Sequence, residues 1–285
     1  MKHKNLFEKS RVTLHQETGI TSSFKHLVPP GKSLLITSKS FCNSSQVKYI
    51  QSQFAIDDID IFSGVTPNPS LRLITEMSQQ YRGRNYESII ALGGGSVIDF
   101  SKVLSFTLHE NNHVDLREHF YKTPQLDFQS KLFLAAIPTT SGTGSEVTPF
   151  STVWDNGNNQ KLSLYHENAC PDIALLDANN TITLNRQNTL FPGLDTISHA
   201  LESIWNVNAS VQSYELAINC LEYVNKSFLM VLKEPSDITH RFNMQTASAL
   251  AGMAISETKT ALAHSISYPI TLKFHVPHGL ACSFT

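Results

Sequence analysis

The sequence carries little charge and no surplus of either sign. Of 285 residues 16% are charged, 22 Lys and Arg against 24 Asp and Glu, for a formal net charge of -2 at pH 7. Without a basic excess there is nothing to neutralise a phosphate backbone or an anionic bilayer surface, which argues against nucleic acid as a partner. Cysteine is sparse as well. Cys42, Cys170, Cys220 and Cys282 lie far apart with no CxxC pair, so neither a thiolate zinc site nor a dense disulfide framework is indicated and a reducing cytoplasm is expected. Long apolar runs are also missing. Leu132 to Ile137 is far too short to span a bilayer, and the early lysines have no apolar stretch behind them, so neither a membrane span nor a leader is expected.

What is present is a 41% hydrophobic content, enough for a large core and two domains in a globular protein. Short apolar runs alternate with amphipathic stretches: Ser33 to Thr37, then Lys48 to Phe54, Ile59 to Phe62, Ser70 to Arg82, and Ser88 to Leu92. That rhythm predicts β-α-β-α-β, and runs apolar on both faces suit parallel strands covered by helices. Further strands are expected at Phe133 to Ile137, Gln160 to Tyr165 and Ile173 to Leu176. From Pro192 onward the periodicity is helical. The expected fold is therefore an α/β domain with a parallel sheet over residues 1–182, followed by an all-α domain over residues 183–285.

Two loops and two pairs of residues carry chemical signals. Strand Ser88 to Leu92 runs into Gly93-Gly94-Gly95-Ser96 and then a helix start. Such a turn exposes backbone N–H groups at a positive dipole end, a cradle for pyrophosphate, although the spacing is not GxGxxG and a plain tight turn is the alternative. Strand Phe133 to Ile137 leads into Pro138-Thr139-Thr140-Ser141-Gly142-Thr143-Gly144-Ser145-Glu146, either a second nucleotide loop at a neighbouring strand end or a polar surface loop. Pro192-Gly193 reads as a chain break before a helix in which Asp195 and His199 are four apart. They share a face where both could reach one ion, or Asp195 serves the helix dipole and His199 is incidental. His264 lies among small apolar residues, where an imidazole needs a partner. His278, between Pro277 and Gly279, sits at a helix entrance and is either a ligand or a turn residue. One carboxylate and three imidazoles suit Fe(II) or Zn(II).

These stretches resemble the iron-containing, or group III, alcohol dehydrogenase family. The likeness covers almost the whole chain through Gly93-Gly-Gly-Ser-Val-Ile-Asp99, Pro138 to Glu146, Pro171-Asp-Ile-Ala-Leu-Leu-Asp177, Gly193-Leu-Asp-Thr-Ile-Ser-His-Ala-Leu-Glu202 and Pro277-His-Gly-Leu280. The resemblance implies a Rossmann-like domain, a helical domain and a catalytic ion in the cleft between them, held by Asp195, His199, His264 and His278. It implies NAD(H) or NADP(H) contacts at Asn68, Gly94, Gly95, Ser96, Asp99, Thr139, Thr140, Thr148 and Lys161. It further implies a small aldehyde or alcohol substrate and a homodimer or higher homo-oligomer.

Three departures from the family pattern stand out. Ser38 occupies the place after the first strand where many members carry an aspartate that repels a 2′-phosphate, so NADPH stays open beside NADH. Tyr268 stands where many members have a second histidine, leaving a phenol or water to relay a proton. His264-Ser-Ile-Ser-Tyr-Pro-Ile-Thr271 is similar to the phosphonoacetaldehyde reductase branch, although no residue in the matched motifs clearly supplies the cationic group that an anionic aldehyde would want. Family members also continue beyond the Pro-His-Gly motif, so a fragment or truncated product is expected. The rival readings are a glycerol dehydrogenase-like or dehydroquinate synthase-like enzyme, or a nucleotide- and metal-binding remnant without turnover.

Overall fold

The computed structural model describes residues 7–112, 115–121, 130–158 and 160–284. In chain order the strands are β1 (Thr13–Gln16), β2 (Lys32–Ser38), β3 (Ile59–Val65), β4 (Tyr86–Gly93), β5 (Phe133–Pro138), β6 (Phe150–Asp155), β7 (Gln160–Tyr165) and β8 (Ile173–Leu176). The helices are α1 (Ser45–Ser52), α2 (Leu71–Tyr81), α3 (Gly95–Thr107), α4 (Leu116–Tyr121), α5 (Arg186–Trp205), α6 (Val211–Lys233), α7 (Ile238–Thr258), α8 (Leu262–Phe274) and α9 (His278–Cys282). Two compact units result. One comprises Gly19–Pro138 and Pro149–Leu175; the other comprises Met1–Thr18, Thr139–Thr148 and Leu176–Thr285.

In the first unit β8, β5, β4, β2 and β3 lie side by side, every adjacent pair parallel. Side chains alternate across a strand, so each run feeds two cores. Leu34, Ile36, Ile89, Ala91, Leu134 and Ala136 pack on one face with Ile74, Val97, Phe100 and Leu104 from α2 and α3. Leu35, Ile90, Leu92, Ala135 and Ile137 pack on the other with Val47 and Ile50 of α1. Burial on both faces is why these runs contain almost no polar residue. Full burial of each large aliphatic side chain contributes about 1.5–3 kcal/mol. The buried hydroxyls find partners: Ser33 Oγ lies 2.8 Å from Ser88 Oγ, and Thr37 Oγ1 donates to the Leu92 carbonyl at 2.7 Å.

Gln160 to Tyr165 is a strand, as its pattern predicts, but not one of the parallel sheet. It pairs antiparallel with Phe150–Asp155 in a separate two-stranded sheet. The physical reason is visible in its burial. Leu164 is its one buried residue, whereas β8 is buried throughout, and half-exposed strands suit antiparallel pairing. The partner strand Phe150–Asp155 had no counterpart in the sequence reading.

The second unit is helical around α5, α6 and α7. The expected break at Pro192-Gly193 does not occur, because α5 is continuous from Arg186 to Trp205 with Pro192 inside it. Both residues serve close packing instead. A Cβ on Gly193 would lie 2.2 Å from the Phe228 ring, and one on Gly142 would lie 2.5 Å from Pro192 Cβ. Gly144, at φ +61°, packs backbone to backbone against Gly252 of α7, where a Cβ would approach Gly252 Cα to 2.5 Å. Those contacts seat the loop Thr139–Thr148 on the helices. Among the described residues no helix is long and apolar enough to cross a membrane.

Candidate metal centre

The site is built on one face of α5. Asp195, His199 and Glu202 recur at i, i+4 and i+7, which stacks them along one side of a helix, and all three are buried. α8 brings His264, also buried, and α9 brings His278 and Cys282. The short α9 has its place because Gly279 presses on α5: a Cβ there would lie 1.9 Å from the Phe191 carbonyl oxygen.

The donor atoms converge on Asp195 Oδ1. His264 Nε2 lies 3.3 Å from it, His199 Nε2 3.8 Å and His278 Nε2 3.9 Å. The His199 and His264 rings stack with centroids 4.5 Å apart and an interplanar angle of 13°. On its other side His264 Nδ1 sits 2.6 Å from Glu202 Oε2, while Glu202 also accepts from the backbone N–H of Ala261 and His264. A carboxylate there fixes the ring: Nδ1 donates to it, and Nε2 faces Asp195. Ser267 spends its hydroxyl proton on the His264 carbonyl, and His278 Nδ1 lies 3.4 Å from Ser267 Oγ. That arrangement frees His278 Nε2 in the same way.

Two buried polar atoms therefore face each other, and a proton or a metal ion must join them. Asp195 Oδ1 and His264 Nε2 both lack a hydrogen-bond partner, a costly arrangement unless a cation joins them. The donor chemistry fits a divalent transition metal. The electrostatics agree. Burial pushes the Asp195 carboxyl up, but the surrounding imidazoles outweigh it and hold the group well below the carboxylate range. Burial drives His199 down to about 4, keeping it a neutral donor. His264 also pays for burial, yet Asp195, Cys282 and Glu202 around it raise it well above its ordinary value. Burial likewise opposes charge on Glu202, but the hydrogen bond from His264 and the backbone N–H groups hold it at about 2.

The residues expected to contact a dinucleotide fall in both units. Gly94 and Gly95 open α3, and no side chain caps that helix, whereas Ser44 and Ser70 cap α1 and α2. Asn68, at φ 59°, donates its backbone N–H to Ser96 Oγ at 3.3 Å, so these two meet. Asp99 is bound to the β6–β7 pair, accepting from Thr152 N at 2.8 Å, with Lys102 Nζ 3.9 Å away. Lys161 lies in β7 opposite Trp154, and Ser38 ends β2 with its hydroxyl 3.0 Å from Ser40 Oγ. Thr139, Thr140 and Thr148 belong to the loop in the helical unit, Thr139 and Thr148 buried. The Tyr268 ring stacks beside His278 with centroids 6.0 Å apart.

Residues 12–178 match the model of the iron-containing alcohol dehydrogenase, and residues 189–285 match the C-terminal model of the Fe-containing alcohol dehydrogenase family. The chain belongs to the iron-containing alcohol dehydrogenase family. It is 32% identical over 265 residues to the bifunctional aldehyde-alcohol dehydrogenase AdhE of Escherichia coli, covering 88% of this chain and 29% of that protein. It is 32% identical over 225 residues to an NADPH-dependent butanol dehydrogenase of Clostridium saccharobutylicum, covering 79% of this chain and 57% of that one. The chain thus spans well under two thirds of these relatives. A solved sulfoacetaldehyde reductase from Bifidobacterium kashiwanohense, in complex with NAD+, superposes with a TM-score of 0.89 at 26% identity, over 96% of this chain and 73% of that chain.

Two residues of the site carried no assigned role in the sequence. Glu202 ends the Gly193 to Glu202 stretch, and its spacing from Asp195 and His199 was the available signal. Cys282 gave none, since it depends on α9 docking beside α8. The Glu202 carboxylate holds His264 in orientation, so Glu202→Ala is expected to weaken metal retention by about 10- to 100-fold, measured by chelator competition with the fold checked by circular dichroism. Proton and ion also compete for the same His264 lone pair. Because Asp195, Cys282 and Glu202 raise the folded His264 above its ordinary value, a proton on that nitrogen must leave on metal uptake. Apparent affinity is therefore expected to rise with pH, by up to about tenfold per unit below that folded value, in the same competition run across a pH series.

Proposed function

We propose that this chain is a metal-dependent, NAD(P)-linked alcohol dehydrogenase or aldehyde reductase. The observation that carries the reading is the buried pair Asp195 Oδ1 and His264 Nε2, 3.3 Å apart and neither in a well-formed hydrogen bond. Asp195, His199, His264 and His278 are the proposed ligands for Fe(II) or Zn(II). When bound, the ion would supply Lewis acidity at the substrate oxygen and the nicotinamide would supply or accept hydride.

The rest is the work of the chain's own residues. Glu202 fixes the ring of His264, and Ser267 that of His278. The uncapped start of α3 at Gly94, Gly95 and Ser96 offers N–H groups to a pyrophosphate, with Asn68, Asp99, Thr139, Thr140, Thr148 and Lys161 completing the proposed cofactor contacts. Ser38 places no charge against a 2′-phosphate, so both NADH and NADPH are candidates. Tyr268, whose ring stacks beside His278, is the proposed proton relay. The dinucleotide-binding region is proposed as 1–182 and the metal-binding helices as 183–285, in a cytoplasmic homo-oligomer.

The substrate class is a small aldehyde or primary alcohol. Phosphonoacetaldehyde is one candidate, supported by the His264 to Thr271 likeness and by a structural relative that is a reductase of another anionic aldehyde. A panel of short neutral and anionic aldehydes with NADH and NADPH tests the reading. Metal-dependent oxidation of the reduced cofactor, lost with chelator and restored by Fe(II) or Zn(II), is the expected result. Unchanged turnover after verified metal removal would overturn it.

A further inference from the structure

We infer that Cys282 is a metal ligand of this site, giving it one thiolate donor beside its carboxylate and imidazoles. The inference rests on the metal reading above and deepens it. Among the described residues, four donors lie within 4.8 Å of one another: Asp195, His264, His278 and Cys282, with His199 outside that set. The sulfur is at 3.7 Å from His278 Nε2 and 3.8 Å from Nδ1. The sulfur therefore sits beside the His278 ring, and it also interacts with His264.

The surroundings make the sulfur more than a small core residue. Cys282 is 1% exposed, on a helix held against α5 by Gly279, so its position is fixed. It shares its enclosure with Asp195 Oδ1 and His264 Nε2, two atoms without hydrogen-bond partners in side chains themselves almost wholly buried. A cation reaching those two lone pairs lies within reach of the sulfur too. On ligation the thiol surrenders its proton to solvent and the thiolate donates an electron pair to the ion; nothing is oxidised or reduced. A soft sulfur donor favours Zn(II) over harder ions and tightens retention.

The test loads the wild-type protein with Co(II) and with Zn(II). With Co(II), one ion retained per chain and lost in His264→Ala is expected, together with a near-ultraviolet thiolate-to-cobalt charge-transfer band. That band should vanish in Cys282→Ser, with the visible bands of bound cobalt still present, and persist in Cys42→Ser. With Zn(II), X-ray absorption on the unmodified chain should show a sulfur shell at about 2.3 Å beside the N and O shell at about 2.0–2.1 Å, a result that needs no variant to fold. Bound metal with only N and O scatterers and no charge-transfer band overturns the thiolate while sparing the metal site. Failure to retain any metal overturns both.

Discussion

Replacing His264 with alanine is expected to lower turnover by on the order of 10³-fold or more while dinucleotide binding persists. A Lewis acid at the substrate oxygen supplies several kcal/mol, and each 1.36 kcal/mol is a factor of ten in rate. His264 Nε2 is the imidazole nitrogen nearest Asp195 Oδ1, at 3.3 Å. Its removal takes away the nitrogen that faces the carboxylate. It also strips Glu202, fully buried, of its side-chain partner, and a buried charge left unpaired costs about 3–5 kcal/mol. The change therefore threatens the fold as well. His264→Gln, which can still donate to Glu202 but offers no imidazole, separates the two effects. Turnover, metal content and NADH fluorescence are read on the same samples. Normal turnover in a folded His264→Gln protein would remove His264 from the ligand set.

The second large effect is steric. A Cβ at Gly279 would sit 1.9 Å from the Phe191 carbonyl oxygen and 3.1 Å from Asp195 Cβ. Both neighbours belong to α5, and the nearer one is backbone, which cannot rotate away. Gly279→Ala must push α9 off α5, and with it His278 and Cys282. Overpacking of this kind typically costs about 1–3 kcal/mol. The expected outcome is a lower thermal midpoint with a larger loss of metal retention than the stability change alone would give. Ala281, buried on the same helix, provides the control. Ala281→Gly should soften α9 by roughly 1 kcal/mol without displacing it. Equal metal affinity in Gly279→Ala and wild type would show that α9 contributes nothing to the ion.

Much of this arrangement was legible before any coordinates. The doubly buried runs from Ser33, Ser88 and Phe133 announced parallel strands because only covered strands can be apolar on both faces. The four-residue spacing of Asp195 and His199 announced a shared helix face. What escaped was whatever depends on contact between distant segments. Pro192 looked like a break because proline usually is one, yet the glycine beside it makes room for Phe228 and the helix continues. The β6 strand was invisible, and nothing said which sheet β7 would join, because short apolar runs do not reveal their partner. Glu202 was hidden in plain view: nothing local says that a glutamate one turn past a histidine will meet an imidazole arriving 62 residues later.

The Gly279 contact has a thermodynamic side. A helix of five residues is far below the length at which one holds itself together in water, so α9 owes its order to the backbone it lies against. That ordering entropy is lost when the chain folds, before any ion arrives. An incoming ion then meets donors already fixed in place, and little of its binding energy goes to organising them. The expected signature is calorimetric: metal uptake with a heat-capacity change near zero, as for a rigid cage, rather than the large negative value of a site that folds around its ligand.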